Sequence, residues 1–102
     1  MVKFSGIQRH IRVLSIMKVT IIIPVYNEVN TIEEILRRVE VENIATEILI
    51  VDDGSTDGTR EKLDSLTEDA HLRIFFHEHN QGKGAAVRTG IKNAKGDVIL
   101  MR

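Results

Sequence analysis

From Val19 onward the apolar positions of this chain switch between two periods. VTIII (19–23), EILIV (47–51), LRIFF (72–76) and DVILM (97–101) are short runs dominated by β-branched and other apolar residues, of strand length and too short for a typical helix. Between them, Ile32, Ile35, Leu36 and Val39 recur at i, i+3, i+4 and i+7; Leu63 and Leu66 follow, then Val87, Gly90, Ile91 and Ala94. The predicted order is β-α-β-α-β-α-β. Strands that are apolar on both faces and separated by helices need a parallel sheet with right-handed crossovers, which predicts an α/β fold with a Rossmann-like layer. Asn30 followed by Glu33 fits a capping pair at the start of the first helix. Gly96 stands where the C-terminus of the third would favour positive φ.

In such sheets ligands bind at the carboxyl ends of the strands, where loops converge and helices present unpaired amides carrying partial positive charge. Three polar clusters fall there: PVYNE after the first strand, DDGSTDGT after the second and HEHNQGKG after the third. The helix-to-strand connections, such as EVEN, EDAH and KG, carry no comparable chemistry. One rim of the sheet is therefore the expected ligand site.

The adjacent aspartates Asp52 and Asp53 are the sharpest feature of that rim, since each raises the cost of ionising the other. Strand side chains alternate faces, so Val51 and Asp53 share one side while Asp52 points to the other. The same period groups Pro24, Tyr26 and Glu28, and together the five residues predict an apolar and aromatic slot with two acceptors. A carboxylate in it can accept from the ring N–H of a base or from a ribose hydroxyl. Asp52 is expected to be structural, accepting from the amides of the GSTDG turn or anchoring a basic side chain. An Asx-type turn capped by Asp57 or Thr56 would account for one aspartate but not for both. NQGKGAAVRTG is not a Walker A loop, because His77 takes the first glycine position and Gly84 follows Lys83. It is not a dinucleotide fingerprint either, because Val87 stands where a third Gly or Ala belongs. What remains is a helix N-terminus with Lys83 beside an anion, or a set of small residues packed on the sheet. His77 and His79 are without a third clustered metal ligand and read as surface histidines.

Composition narrows the class. The 102 residues are 42 % hydrophobic and 28 % charged, which fits one small globular domain, and no apolar run approaches the ~20 residues of a membrane span. There is no cysteine, hence no disulfide or thiolate chemistry. Lys3, Arg9, Arg12 and Lys18 precede the first acidic residue, Glu28, so the net charge of −1 hides a basic leader. Gln8, Arg9, His10 and Arg12 interrupt the apolar stretch a secretory signal would need. Residues 1–16 then read as a transit peptide, a surface-binding helix or, preferably, an extension ahead of a start at Met17, with 17–102 as the folded unit. Nucleic-acid binding is not expected, because aromatic residues do not interleave the basic ones.

TIIIPVYNE, ILIVDDGSTDGT and HNQGKGAAVRTGIKNAKGDVIL, in this order, resemble the N-terminal half of a family 2 glycosyltransferase of the GT-A fold. The nearest subgroup is the dolichyl-phosphate and polyprenyl-phosphate mannosyl- and glucosyltransferases. The resemblance covers Met17 to about Leu100. It implies a nucleotide-sugar donor, GDP-mannose or UDP-glucose, inverting transfer, and a lipid-phosphate acceptor, with cytoplasmic placement peripheral to a membrane. The donor-binding positions it implies are Pro24, Tyr26, Glu28, Val51 and Asp53. Lys83 and Arg88 are the basic candidates near the rim for a phosphate. No catalytic residue is assigned. The family holds Mg2+ or Mn2+ on an Asp-x-Asp motif after the fourth strand, and no Asp-x-Asp occurs in these 102 residues. The chain thus reads as the nucleotide-binding half without a metal site, inactive by itself and prone to self-association through uncovered apolar surface.

Overall fold

The computed structural model describes residues 17–102, and the basic leader inferred for 1–16 lies outside the described residues. Four strands alternate with three helices: β1 (Val19–Val25), α1 (Ile32–Glu42), β2 (Glu47–Asp52), α2 (Thr59–Asp64), β3 (Leu72–Phe76), α3 (Lys83–Asn93) and β4 (Val98–Met101). All pairings are parallel and the sheet order is β3-β2-β1-β4. Central β1 is in register with β2 from Thr20 opposite Glu47 to Val25 opposite Asp52, so both strands end at one level.

The alternation of side chains splits β1 and β2 between two buried faces. Val19, Ile21, Ile23 and Val25 join Ile48, Ile50, Leu72 and Ile74 in a core closed by Ile32 and Val39 of α1 and Leu63 of α2. Each fully buried aliphatic side chain contributes roughly 1.5–3 kcal/mol, which is why strands this short persist. Ile22 on the opposite face meets α3, where a Cβ at Gly90 would lie 2.6 Å from its Cγ2. Ala86 and Gly90 are the buried residues of α3, while Ile91 is 48 % exposed. The predicted stripe of Val87, Gly90, Ile91 and Ala94 is corrected accordingly: small residues four apart set the seated face, because they let the helix backbone approach the sheet.

Two terminus assignments also change. The N-cap of α1 is Thr31, and the opening amides of Thr31 and Ile32 donate to the Glu28 carbonyl at 3.0 and 2.8 Å. That carbonyl does the work expected of Asn30, whose side chain is left exposed. α3 ends in Ala94 with extended φ and ψ, and Gly96 is not among the residues with positive φ. Gly96 is instead required by space: a Cβ there would lie 2.5 Å from Thr20 Oγ1.

Beneath this corner lies a buried polar cluster. Glu47, 5 % exposed, accepts from Thr20 Oγ1 at 2.7 Å, the Lys95 amide at 2.6 Å and Arg73 Nη2 at 3.1 Å. Arg73 Nη2 also donates to the Asn93 carbonyl at 2.7 Å, and the Gly96 amide to Thr20 Oγ1 at 2.9 Å. Burial pushes the Glu47 carboxyl up, but the Lys95 amide, the Thr20 hydroxyl and the Arg73 guanidinium together hold it below the usual range. The end of α3 is thereby tied to the base of β1 and β2.

Candidate functional site

The loops after β1 and β2 are stitched to one another at the carboxyl rim. Asn27, at φ +52°, donates its amide to Ser55 Oγ at 2.8 Å and accepts from the Thr56 amide at 2.8 Å through Oδ1. The Glu28 amide donates to Thr59 Oγ1 at 2.9 Å, the Val29 amide to Asp57 Oδ2 at 3.2 Å, and the Asp53 amide to the Val25 carbonyl at 2.8 Å. Asp57 also accepts from the Thr59 amide at 3.0 Å, so it helps to start α2 although the N-cap position is Gly58.

The two aspartates have separate partners. Asp52, fully buried, accepts from the Ser55 amide and hydroxyl at 3.2 and 2.5 Å and closes its own turn. Asp53, 3 % exposed, reaches the loop after β3: Oδ1 accepts from His77 Nδ1 at 2.8 Å and from the Gln81 amide at 2.9 Å, and Oδ2 from the Gly82 amide at 2.8 Å. Burial pushes its carboxyl up; the Gln81 amide, His77 and the Gly82 amide outweigh that and leave it below the ordinary value. Gly54 follows at φ +75°, where a Cβ would lie 2.5 Å from the Asn80 nitrogen, so the loops meet only because this position has no side chain.

These loops bound a cavity of about 560 Å3 lined by Ile23, Pro24, Val25, Tyr26, Glu28, Ile35, Asp53, Asn80, Lys83, Ala86 and Arg102. Pro24, Tyr26, Glu28, Asp53 and Lys83 are thus placed together. Val51 is fully buried and does not line the cavity, and neither does Arg88, whose Nη1 lies by Gly84. Period-two reasoning ends with the strand: Val51 is still inside the sheet, whereas Asp53 is already past it. Asn80 and Arg102 line the cavity without having been singled out from the sequence. Asn80 lies in the third rim loop, and the Arg102 amide donates to the Ile22 carbonyl at 2.9 Å, one residue beyond β4.

The surface reading of His77 is corrected. Its side chain is 11 % exposed and its ring bridges Asp53 and Thr89 Oγ1, the latter at 2.7 Å from Nε2. His79 is exposed. At the start of α3, the Gln81 and Gly82 amides are occupied by Asp53, no side chain caps the helix, and Lys83 and Ala86 of its first turn line the cavity. Among the described residues, no group of three or more His, Cys, Asp or Glu could hold a metal ion.

The sequence profile of Glycosyl transferase family 2 matches residues 20–101. The chain belongs to this family. It is 44 % identical over 89 residues to an uncharacterized glycosyltransferase of Rickettsia felis, covering 86 % of this chain and 15 % of that protein. It is 37 % identical over 87 residues to a dolichol-phosphate mannosyltransferase of Pyrococcus furiosus, covering 83 % and 25 %. Among solved structures, residues 1–349 of Staphylococcus aureus TarS in complex with UDP superpose with a TM-score of 0.73 at 29 % identity, over 84 % of this chain and 27 % of that one. The glucosyl-3-phosphoglycerate synthase of Mycobacterium tuberculosis, crystallised with Mn2+, UDP and phosphoglyceric acid, shares the fold, with a TM-score of 0.72 at 21 % identity over 100 % of this chain and 38 % of that one. The family 2 chain described here therefore spans between about a seventh and two fifths of these proteins, and its parallel sheet is the Rossmann-like layer of their GT-A fold.

Proposed function

We propose that the rim cavity holds the nucleotide of a GDP- or UDP-linked sugar, and that the protein transfers the hexosyl group to a polyprenyl or dolichyl phosphate. The observation that carries this reading is the convergence of an aromatic ring, a buried acceptor and a helix N-terminus on one cavity: Tyr26, Asp53 and the first turn of α3 with Lys83. Its volume suits a nucleotide-sized ligand. Tyr26, 47 % exposed, offers a face for a base, and Asp53 an acceptor for a ring N–H. Lys83 and the opening amides of α3 suit the diphosphate. In the transfer, an acceptor phosphate oxygen forms a bond to the anomeric carbon while the bond from that carbon to the diphosphate breaks and its electron pair leaves with the nucleotide. A phosphate acceptor is already anionic, so the barrier lies in stabilising the leaving charge.

The divalent cation that the family uses would neutralise that charge. The described residues do not form a site for it, since Asp53 already accepts three hydrogen bonds and only Glu28 stands as a second carboxylate on the cavity. Among the described residues, no helix is long and apolar enough to cross a membrane, and we place the protein at the cytoplasmic surface of a membrane, peripherally, where a lipid phosphate is presented. A second reading of the same cavity is nucleotide binding without catalysis, because Tyr26, Asp53 and Lys83 suffice to hold a nucleotide and none of them is assigned a part in breaking the glycosyl bond. Calorimetric titration of GDP and UDP with and without Mn2+ tests both. Saturable binding of one of them supports the cavity assignment, and no binding of either refutes it. Metal-independent weak binding favours the second reading, whereas binding that requires Mn2+ overturns the statement that these residues form no cation site.

A further inference from the structure

We infer that His77 and Thr89 are positioning residues of the nucleotide cavity, forming a relay that aims Asp53 and fixes how many of its acceptor sites remain open. The inference rests on the reading of that cavity as a nucleotide site. His77 is tied at every polar atom. Its amide donates to the Asp52 carbonyl at 2.8 Å, and its carbonyl accepts from Arg60 Nη1 at 3.1 Å. Its ring bridges Asp53 Oδ1 at 2.8 Å and Thr89 Oγ1 at 2.7 Å. Nothing in these bonds serves α3 as a helix, because Thr89 sits in its interior and uses only its side chain toward His77.

The chemistry of the partners fixes the protons. An ionised Asp53 only accepts, so Nδ1 of His77 must carry a hydrogen. In the neutral ring Nε2 is then an acceptor, and the Thr89 hydroxyl donates to it. This is the less common tautomer of a free imidazole, held here by the two partners. A carboxylate offers about four acceptor positions; His77, Gln81 and Gly82 fill three, two of them on Oδ1. The open position is on Oδ2. A rotation of the carboxylate would move that position away from the cavity, and the His77 ring, immobilised from α3, opposes it.

The relay makes a prediction that general structural support does not. Thr89 acts on Asp53 only through the His77 ring, so its effect must vanish once that ring is gone. Affinities of UDP and GDP would be measured by calorimetry on the 102-residue chain and its variants, with His79→Ala as a control and urea unfolding to verify folding. His77→Gln, which places no donor at Nδ1, is expected to weaken the better nucleotide roughly tenfold, the scale of one hydrogen bond to a charged group. His77→Asn, whose amide can replace the Nδ1 hydrogen, is expected to stay within about threefold, and Thr89→Val to lose roughly threefold. In the His77→Gln background, Thr89→Val should change nothing further. Additive losses, or His77→Asn as weak as His77→Gln, would overturn the relay.

Nitrogen-15 shifts of the His77 ring give a readout independent of any nucleotide. A hydrogen resident on Nδ1 is expected, with Nε2 shifting on Thr89→Val; a ring whose single hydrogen is on Nε2 overturns the inference. If the unaltered chain binds neither nucleotide, the cavity assignment fails and the positioning role falls with it, while the shifts still decide whether the relay exists. If it binds one and the variants bind equally well, the assignment stands and this inference alone is lost.

Discussion

Replacing Gly90 with alanine tests how α3 is held over the cavity. An alanine in a helix interior ordinarily gains about 0.8–1 kcal/mol over glycine. At this position the added Cβ would lie 2.6, 2.9 and 3.1 Å from Cγ2, Cδ1 and Cγ1 of Ile22. Carbon atoms prefer about 3.5–4.0 Å, so roughly 1 Å of displacement is needed. Ile22 is 0 % exposed in the central strand and has no room to yield, which makes the helix the moving part. Overpacking of this kind costs about 1–3 kcal/mol, and the close approach to three atoms puts Gly90→Ala near the upper end. Net destabilisation of roughly 1–2 kcal/mol is expected, a fall of about 1 M in the urea midpoint. Ile22→Ala should by itself cost about 2–5 kcal/mol through the cavity it leaves, and the added methyl would partly fill that cavity. The double variant should therefore be more stable than the sum of the singles predicts by at least about 1 kcal/mol. Strict additivity in the cycle, or a rise in midpoint for Gly90→Ala alone, would refute the close-packing account of α3.

Five further outcomes are expected. Glu47→Ala should destabilise the chain by about 2–4 kcal/mol, because it strands the Arg73 guanidinium and the Lys95 amide, and the loss should appear in urea unfolding. Both Glu47 and Asp53 are held below their ordinary values, so their stabilisation is present above an unfolded pKa of roughly 4 and is lost as pH falls through the folded values; Glu47→Gln should flatten the acid limb of a midpoint-versus-pH curve. Lys83→Ala should weaken UDP or GDP roughly tenfold while leaving the corresponding nucleoside unchanged, a difference that competition calorimetry resolves. With one open acceptor position, Asp53 satisfies the single ring N–H of uracil but only one of the adjacent donors of guanine. UDP should therefore bind roughly tenfold more tightly than GDP, and Asp53→Asn should erase the difference. Ile91, Ile99, Leu100 and Met101 are between 38 % and 48 % exposed on α3 and the edge strand β4, so sedimentation velocity should show concentration-dependent association, and a monomer at high concentration would contradict it.

The strands and their order along the chain were legible because burial on both faces leaves a mark that neighbouring residues share: Ile48 to Val51 are all apolar and all at 0 % exposure. Features set by contacts distant in sequence were not. The cap of α1 was assigned to Asn30 because its side chain is the right type, yet a backbone carbonyl, which every residue possesses, satisfies those amides. His77 looked solvated because its neighbours Glu78 and His79 are; its own surroundings come from Asp53, 24 residues earlier, and Thr89, 12 later. The stripe of α3 was misplaced by one position for a related reason. Large side chains mark a buried face only when the helix keeps its distance, and here the helix is close to the sheet, so Ala86 and Gly90 mark it instead.

The two adjacent carboxylates show what separates the readable from the unreadable part of the site. Side by side in water-poor surroundings two carboxylates repel unless each finds its own donors. Each has its own: Asp52, the last residue of β2, accepts from Ser55, three residues on, and Asp53, one residue beyond the strand, from a loop 24 to 29 residues away. The first arrangement is local and follows from the residue types. The second exists only once β3 is laid beside β2 in parallel, which brings His77 to the rim with its amide on the Asp52 carbonyl. Asp53 is consequently fixed by the element that carries the first turn of α3, so the acceptor and the start of the helix are set by one loop. A displacement of that loop should alter recognition at both ends of a bound nucleotide together, whereas a change confined to the Asp52 turn should alter the stability of the rim first.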